Sequence, residues 1–157
     1  MKTLVVYFSR SGHTRQVAGE IAKLCGADLA PIRELQGRHG VGGYLRSIWQ
    51  AVRHVGPPVI PAVRDPADYD LVIIGSPIWA MQLAPPVRSY TRLHAAKFKH
   101  VAFFCTEGGS GHENAFAELA AICGKQPVAT LVVNEQQLSE PAHSEPLRGF
   151  MASLAAA

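Results

Sequence analysis

The chain has 157 residues, a length for one domain, 1–157, that buries roughly two thirds of its unfolded surface and leaves no room for a separate substrate domain. Hydrophobic residues make up 48% and charged ones 17%, without low-complexity tracts or repeats, so the composition is globular rather than disordered. Fifteen Lys plus Arg against twelve Asp plus Glu leave a net charge of +3, an excess too mild, and too free of interleaved aromatics, for a nucleic-acid surface.

Leu4 to Phe8 is a continuous apolar run of the kind a buried parallel strand shows, so strand one is expected over residues 3–9. A helix from His13 to Cys25 follows, with Val17, Ile21 and Leu24 on one face and Gly26 to stop it. A short strand over 28–33 leads into Gly37, Gly40, Gly42 and Gly43. A helix carrying Leu45, Ile48, Trp49 and Val52 comes next, ended by Gly56-Pro57-Pro58. Residues 70–76 are the strongest strand and are expected to stop at Pro77. Pro85 and Pro86 suit the first turn of a helix whose buried face is Val87, Tyr90 and Leu93. A strand over 101–104, a glycine-rich loop over 105–111, a helix with Phe116, Leu119 and Ile122 inside, a strand over 128–133 and a helix over 144–154 complete the chain.

Alternating strands and helices predict an α/β, three-layer, doubly wound fold with a five-stranded parallel sheet of order 2-1-3-4-5. In that order the carboxyl ends of strands one, three and four meet at the switch point, where ligands bind. Three unusual segments end there. The first, Ser9-Arg10-Ser11-Gly12-His13-Thr14, sets small hydroxyls and a glycine before a helix start, whose unpaired N–H groups and positive dipole end favour an anion. It lacks the lysine of a nucleoside-triphosphate loop and the three glycines of a dinucleotide fingerprint, so a terminal monophosphate suits it best. The same serines also serve an ordinary N-cap. The second segment, Gly75-Ser76-Pro77-Ile78-Trp79-Ala80, offers an indole as a wall for a flat heteroaromatic ring. The third, Cys105-Thr106-Glu107-Gly108-Gly109-Ser110-Gly111, lets backbone run close along a ligand edge. A ring with a monophosphate is a mononucleotide.

Through these three segments, and Ala84-Pro85-Pro86-Val87-Arg88 downstream of the second, the chain resembles the flavodoxin-like FMN-binding proteins over nearly its full length. The resemblance implies FMN as cofactor. Ser9, Arg10, Ser11, Gly12, His13 and Thr14 would hold its phosphate, while Pro77, Ile78, Trp79 and Ala80 would flank one side of the isoalloxazine. Cys105, Thr106, Glu107, Gly108 and Gly109 would flank the other. Arg10 or Arg15 would add charge. No catalytic side chain is expected, because the flavin does the chemistry; Trp79, Glu107 and His112 shape its open face.

Electron-carrying flavodoxins are strongly acidic, which a net +3 does not match. No glycine occurs between Ser76 and Pro86 to ease the backbone rearrangement that stabilises the one-electron form in those carriers. Two-electron transfer from NAD(P)H to a quinone or similar acceptor, small molecule or protein, is therefore the favoured reading, and a one-electron carrier the alternative. A phosphorelay receiver would need acids where Ser9 and Ser76 stand, and a low-molecular-weight tyrosine phosphatase a cysteine in the first loop.

Most basic residues, Arg33, Arg46, Arg53, Arg64, Arg88 and Lys97 among them, are read as a solvated face. Cys25, Cys105 and Cys123 form neither a disulfide framework nor a C-x-x-C pair, and the seven histidines show no ligand spacing, so no metal is expected. Cys105 is read as inert. Five consecutive apolar residues after Lys2 suit neither a signal peptide nor a membrane span, and the expected compartment is the cytoplasm. Residues 37–43 and the helix bearing Trp49 suit either a homodimer or partner surface, or, for Trp49, the core.

Overall fold

A computed structural model describes residues 1–34, 59–60, 62–139 and 143–157. The expected glycine-rich stretch 37–43, the helix bearing Trp49 and its Gly56-Pro57-Pro58 stop lie outside these residues. Strands β1 (Thr3–Tyr7), β2 (Asp28–Pro31), β3 (Leu71–Trp79), β5 (His100–Glu107) and β6 (Thr130–Asn134) pair in parallel in the order β2-β1-β3-β5-β6. The short strand β4 (Gln82–Leu83) turns back antiparallel on β3. The five parallel strands thus follow the expected 2-1-3-4-5 order.

Side chains alternate across a strand, so the continuous apolar runs supply two cores at once. On one face Leu4, Val6, Val72, Ile74, Val101 and Phe103 pack with Val87 and Tyr90 of helix α2 (Pro85–His94) and with Ala115 and Leu119 of α3 (His112–Cys123). On the other, Val5, Tyr7, Leu71, Ile73, Ala102 and Phe104 pack with Val17 and Ile21 of α1 (His13–Cys25) and with Leu147 and Phe150 of α4 (Ser144–Ala156). Full burial of such a side chain stabilises by roughly 1.5–3 kcal/mol.

Several expected boundaries shift, each for a local reason. Strand β3 does not stop at Pro77 but runs on to Trp79. Phe8 N–H donates to Gly75 O at 3.2 Å, so Gly75 turns its polar main-chain atoms toward β1. Pro77, two residues on, faces the same side, where β1 has already ended at Tyr7, and its missing N–H removes no ladder bond. Strand β5 likewise continues through Cys105 and Thr106, paired with β3 on one side and β6 on the other, and through Glu107, paired with β6.

Helix faces shift as well. Leu24 and Leu93 are exposed, at 59% and 61%. In α2 the positions that join Val87 and Tyr90 inside are Pro86, Arg88, Thr91 and His94. Arg88 is only 2% exposed, contrary to a place on the solvated face. Its Nε and Nη2 donate to the two carboxylate oxygens of Glu118 on α3, a forked pair that ties the two helices together. The inner stripe of α3 is Ala115, Leu119 and Cys123, spaced by four, with Phe116 and Ile122 half-buried beside it.

Two features of this packing generate predictions. A Cβ on Gly75 would stand 2.0 Å from the Phe104 ring of the neighbouring strand, so Gly75→Ala should cost about 2–3 kcal/mol, read as a lowered urea midpoint. Both ring nitrogens of His94 and the Tyr90 hydroxyl are buried without a hydrogen-bond partner among the described residues. Burial, and then the Lys97 charge, lower the His94 pKa, with Asp65 acting in the opposite sense. The unfolded chain therefore binds the proton more readily. Stability is complete above the unfolded value of about 6.5 and falls as pH drops below it. His94→Phe should flatten thermal stability between pH 7 and pH 5, measured as Tm.

Candidate functional site

At the carboxyl edge of the sheet, the chain leaves β1 through Phe8 and Ser9 and enters α1 at Gly12. Gly12 has φ 102° and ψ −11°, a conformation that requires glycine, and it gives α1 no side-chain cap. No acidic residue occupies the first turn. Ser9 Oγ instead accepts the Gly12 N–H at 3.1 Å. The ordinary N-cap reading of these serines therefore does not hold, and the N–H groups of the first turn keep their capacity for an external anion.

Beside this turn lies a cavity of about 420 Å3, lined by Ser9, Ser11, Gly12, and the arginines Arg10, Arg15 and Arg33, with Tyr7 and Ile32 beneath. Of the three guanidiniums, sequence reasoning connected Arg10 and Arg15 to an anion but placed Arg33 on a solvated face. Arg33 follows the carboxyl end of β2 and reaches the site through the parallel pairing of β2 with β1. Glu34 is the nearby acid: burial raises its carboxyl pKa and the Arg10 charge lowers it.

The remaining hydroxyls and rings divide between rim and interior. Ser11 is exposed, with Oγ 3.3 Å from His13 Nδ1, and that nitrogen is 3.5 Å from Glu135 Oε2 beyond β6. Thr14 is 1% exposed, and its Oγ1 meets Thr106 Oγ1 at 2.8 Å, which fastens α1 to the end of β5. Glu135 was not foreseen. The strand-end rule that selected the other segments applies equally to β6.

The ring segment is a hairpin, not an open loop. Trp79 pairs with Gln82 and Ile78 with Leu83, leaving Ala80 and Met81 as a two-residue turn. Both take positive φ, 49° and 63°, as the twist of such a hairpin demands of its central residues. Ser76 Oγ closes the base, donating to Pro77 O at 2.8 Å and accepting Ala84 N–H at 3.2 Å. Trp79 is half-buried at the rim, with Phe8 edge-on at 5.6 Å and the Arg10 guanidinium carbon 5.7 Å from its ring centre.

The third segment proves shorter than expected. Cys105 and Thr106 are 0% exposed, enclosed because β5 pairs on both sides at these positions, so they support the rim rather than line it. Burial, with the Glu107 charge adding to it, pushes the Cys105 thiol far above its ordinary range, which makes it a poor redox nucleophile. Glu107 is 5% exposed; its Oε2 accepts the His112 backbone N–H at 3.2 Å and its Oε1 lies 2.9 Å from His112 Nδ1. Thus α3, unlike α1, begins on a carboxylate. Gly108, Gly109 and Ser110 are exposed. Gly111, at φ 123°, lies so close to the hairpin that a Cβ there would be 2.5 Å from Met81 Cα.

Register Ser76–Cys105 and Pro77–Thr106, the Thr14–Thr106 bond and the Gly111–Met81 approach bring all three segments to one edge. The arrangement combines an anion seat with an aromatic wall and a glycine-rich rim. Among the described residues no group of three or more His, Cys, Asp or Glu could hold a metal, and no helix is long and apolar enough to cross a membrane.

No family model and no curated protein matches the sequence. Solved structures do. A protein of Bacteroides eggerthii DSM 20697 ascribed to the flavoproteins is 26% identical with TM-score 0.72, over 88% of this chain and 93% of that one. A flavoprotein of Lactobacillus acidophilus NCFM in complex with FMN is 22% identical with TM-score 0.70, over 90% and 98%. An apo NADH:FMN oxidoreductase is 14% identical with TM-score 0.61, over 99% and 90%. Strand order and these similarities together establish a flavodoxin-like fold.

Replacing the carboxylate that caps α3 tests how this rim is built. Glu107→Ala leaves the His112 N–H without its acceptor and should lower unfolding free energy by about 1–3 kcal/mol, measured by denaturant titration.

Proposed function

We propose that the protein binds FMN at this edge and is an oxidoreductase that passes electrons from NAD(P)H to a quinone or similar acceptor. The observation that carries this reading is the uncapped start of α1 facing a cavity walled by three guanidiniums. A phosphate dianion suits that donor set: N–H groups, serine hydroxyls and delocalised cations together satisfy its oxygens without a lysine. Ser9, Arg10, Ser11, Gly12, His13 and Thr14 would hold the phosphate, with Thr14 contributing through its main chain, since its hydroxyl is engaged by Thr106.

The ring would lean on Trp79, with Pro77, Ile78 and Ala80 shaping that wall and Gly108 and Gly109 offering main-chain donors across from it. Cys105, Thr106 and Glu107 would hold the rim in place from below. When bound, FMN supplies the electron chemistry; the protein positions it and limits access. The FMN complex of the Lactobacillus structure and the name of the NADH:FMN oxidoreductase support this reading.

Two-electron work is favoured over one-electron carriage by charge and by the hairpin. A net charge of +3 does not favour the acidic docking surface that such a carrier uses. Ala80 and Met81 are already in the left-handed region, and Met81 lies close against Gly111, so a further rearrangement of this backbone would meet steric resistance. The proposed setting is the cytoplasm, with a nicotinamide donor. FMN added to the purified protein should bind at one equivalent with a perturbed yellow spectrum, and NADH or NADPH should bleach it directly. A long-lived blue form at substantial yield would assign the protein to the carriers, and absence of FMN binding by calorimetry would remove the reading altogether.

A further inference from the structure

Arg10 holds two places at once. Its guanidinium stands over the Trp79 indole, and its side chain forms part of the cavity wall with Arg15 and Arg33. Among the described residues it is the one cation in contact with that ring. The anion seat and the aromatic wall are therefore joined through a single exposed, flexible side chain.

Resting on the FMN reading above, we infer that Arg10 makes the site selective for phosphorylated over phosphate-free flavin. A flat ring settling on the indole competes with the guanidinium for the same surface. That displacement forfeits a cation–π contact. A phosphate in the cavity compensates, because it offers the guanidinium a forked, charge-assisted partner a short swing away. Riboflavin incurs the displacement and returns nothing. Arg15 and Arg33 add charge to the cavity without this coupling, so their contribution is to phosphate alone. Selectivity against the dephosphorylated ring then arises from a repulsive element as well as an attractive one.

Calorimetric titration of the full chain with FMN and with riboflavin, for wild type, Arg10→Met and Arg33→Met, tests this. Arg10→Met should weaken FMN about tenfold, or 1.4 kcal/mol, and tighten riboflavin roughly two- to fivefold, the size of an exposed cation–π contact. Arg33→Met should weaken FMN and leave riboflavin unchanged. The inference is overturned if Arg10→Met leaves riboflavin binding equal or weaker, or if both variants shift riboflavin alike. Wild type that binds FMN, with Arg10→Met behaving as Arg33→Met, removes the Arg10 role and leaves the FMN reading standing; wild type that binds neither flavin removes both. Matching unfolding midpoints for the variants confirm that folding is not the cause.

Discussion

The Phe104 ring lies across Gly75 on the adjacent strand, in space where any side chain would collide. This close approach fixes the register of β3 against β5, and that register decides which residues emerge together at the carboxyl edge. Ser76 beside Cys105 and Pro77 beside Thr106 follow directly, and the hairpin bearing Trp79 starts from there. A slip of one residue would turn each strand's side chains to the opposite layer. Because both layers are packed, the slip is excluded, and the rim inherits the rigidity of the central strands.

Most of the architecture was legible in hydrophobic pattern. The first strand and the strand beginning at Leu71 are placed correctly though not to their ends, and the His13–Cys25 helix with its Gly26 stop reads as it stands, because each is decided by local periodicity or a single glycine. What the pattern missed depended on neighbours. Pro77 reads as a strand end until β1 is seen to finish two residues earlier on that side. Arg88 reads as surface because its burial depends on Glu118, supplied from another helix. Leu24 and Leu93 read as core but stand outside, because Thr14, Val17, Ala18, Ile21 and Ala22 fill the inner face of α1 and Val87, Arg88, Tyr90, Thr91 and His94 that of α2.

The site was legible as an edge rather than as a set of contacts. Small hydroxyls, an indole and a glycine cluster at three strand ends pointed to it, and those ends do converge. Whether the serines cap α1 could not be read from composition, because the answer lies in the Gly12 dihedrals. Equally, Cys105 and Thr106 looked like loop residues, and only pairing on both flanks encloses them. Arg33 and Glu135 join the rim through strands whose own ends carry no unusual motif.

The Arg88–Glu118 link has a consequence for how this molecule tolerates change. Two positions thirty residues apart are coupled, since losing Glu118 leaves the enclosed Arg88 cation without its carboxylate, while Glu118 itself keeps some contact with water. Substitution there must come in matched steps, or pass through a pair of neutral side chains with similar bulk.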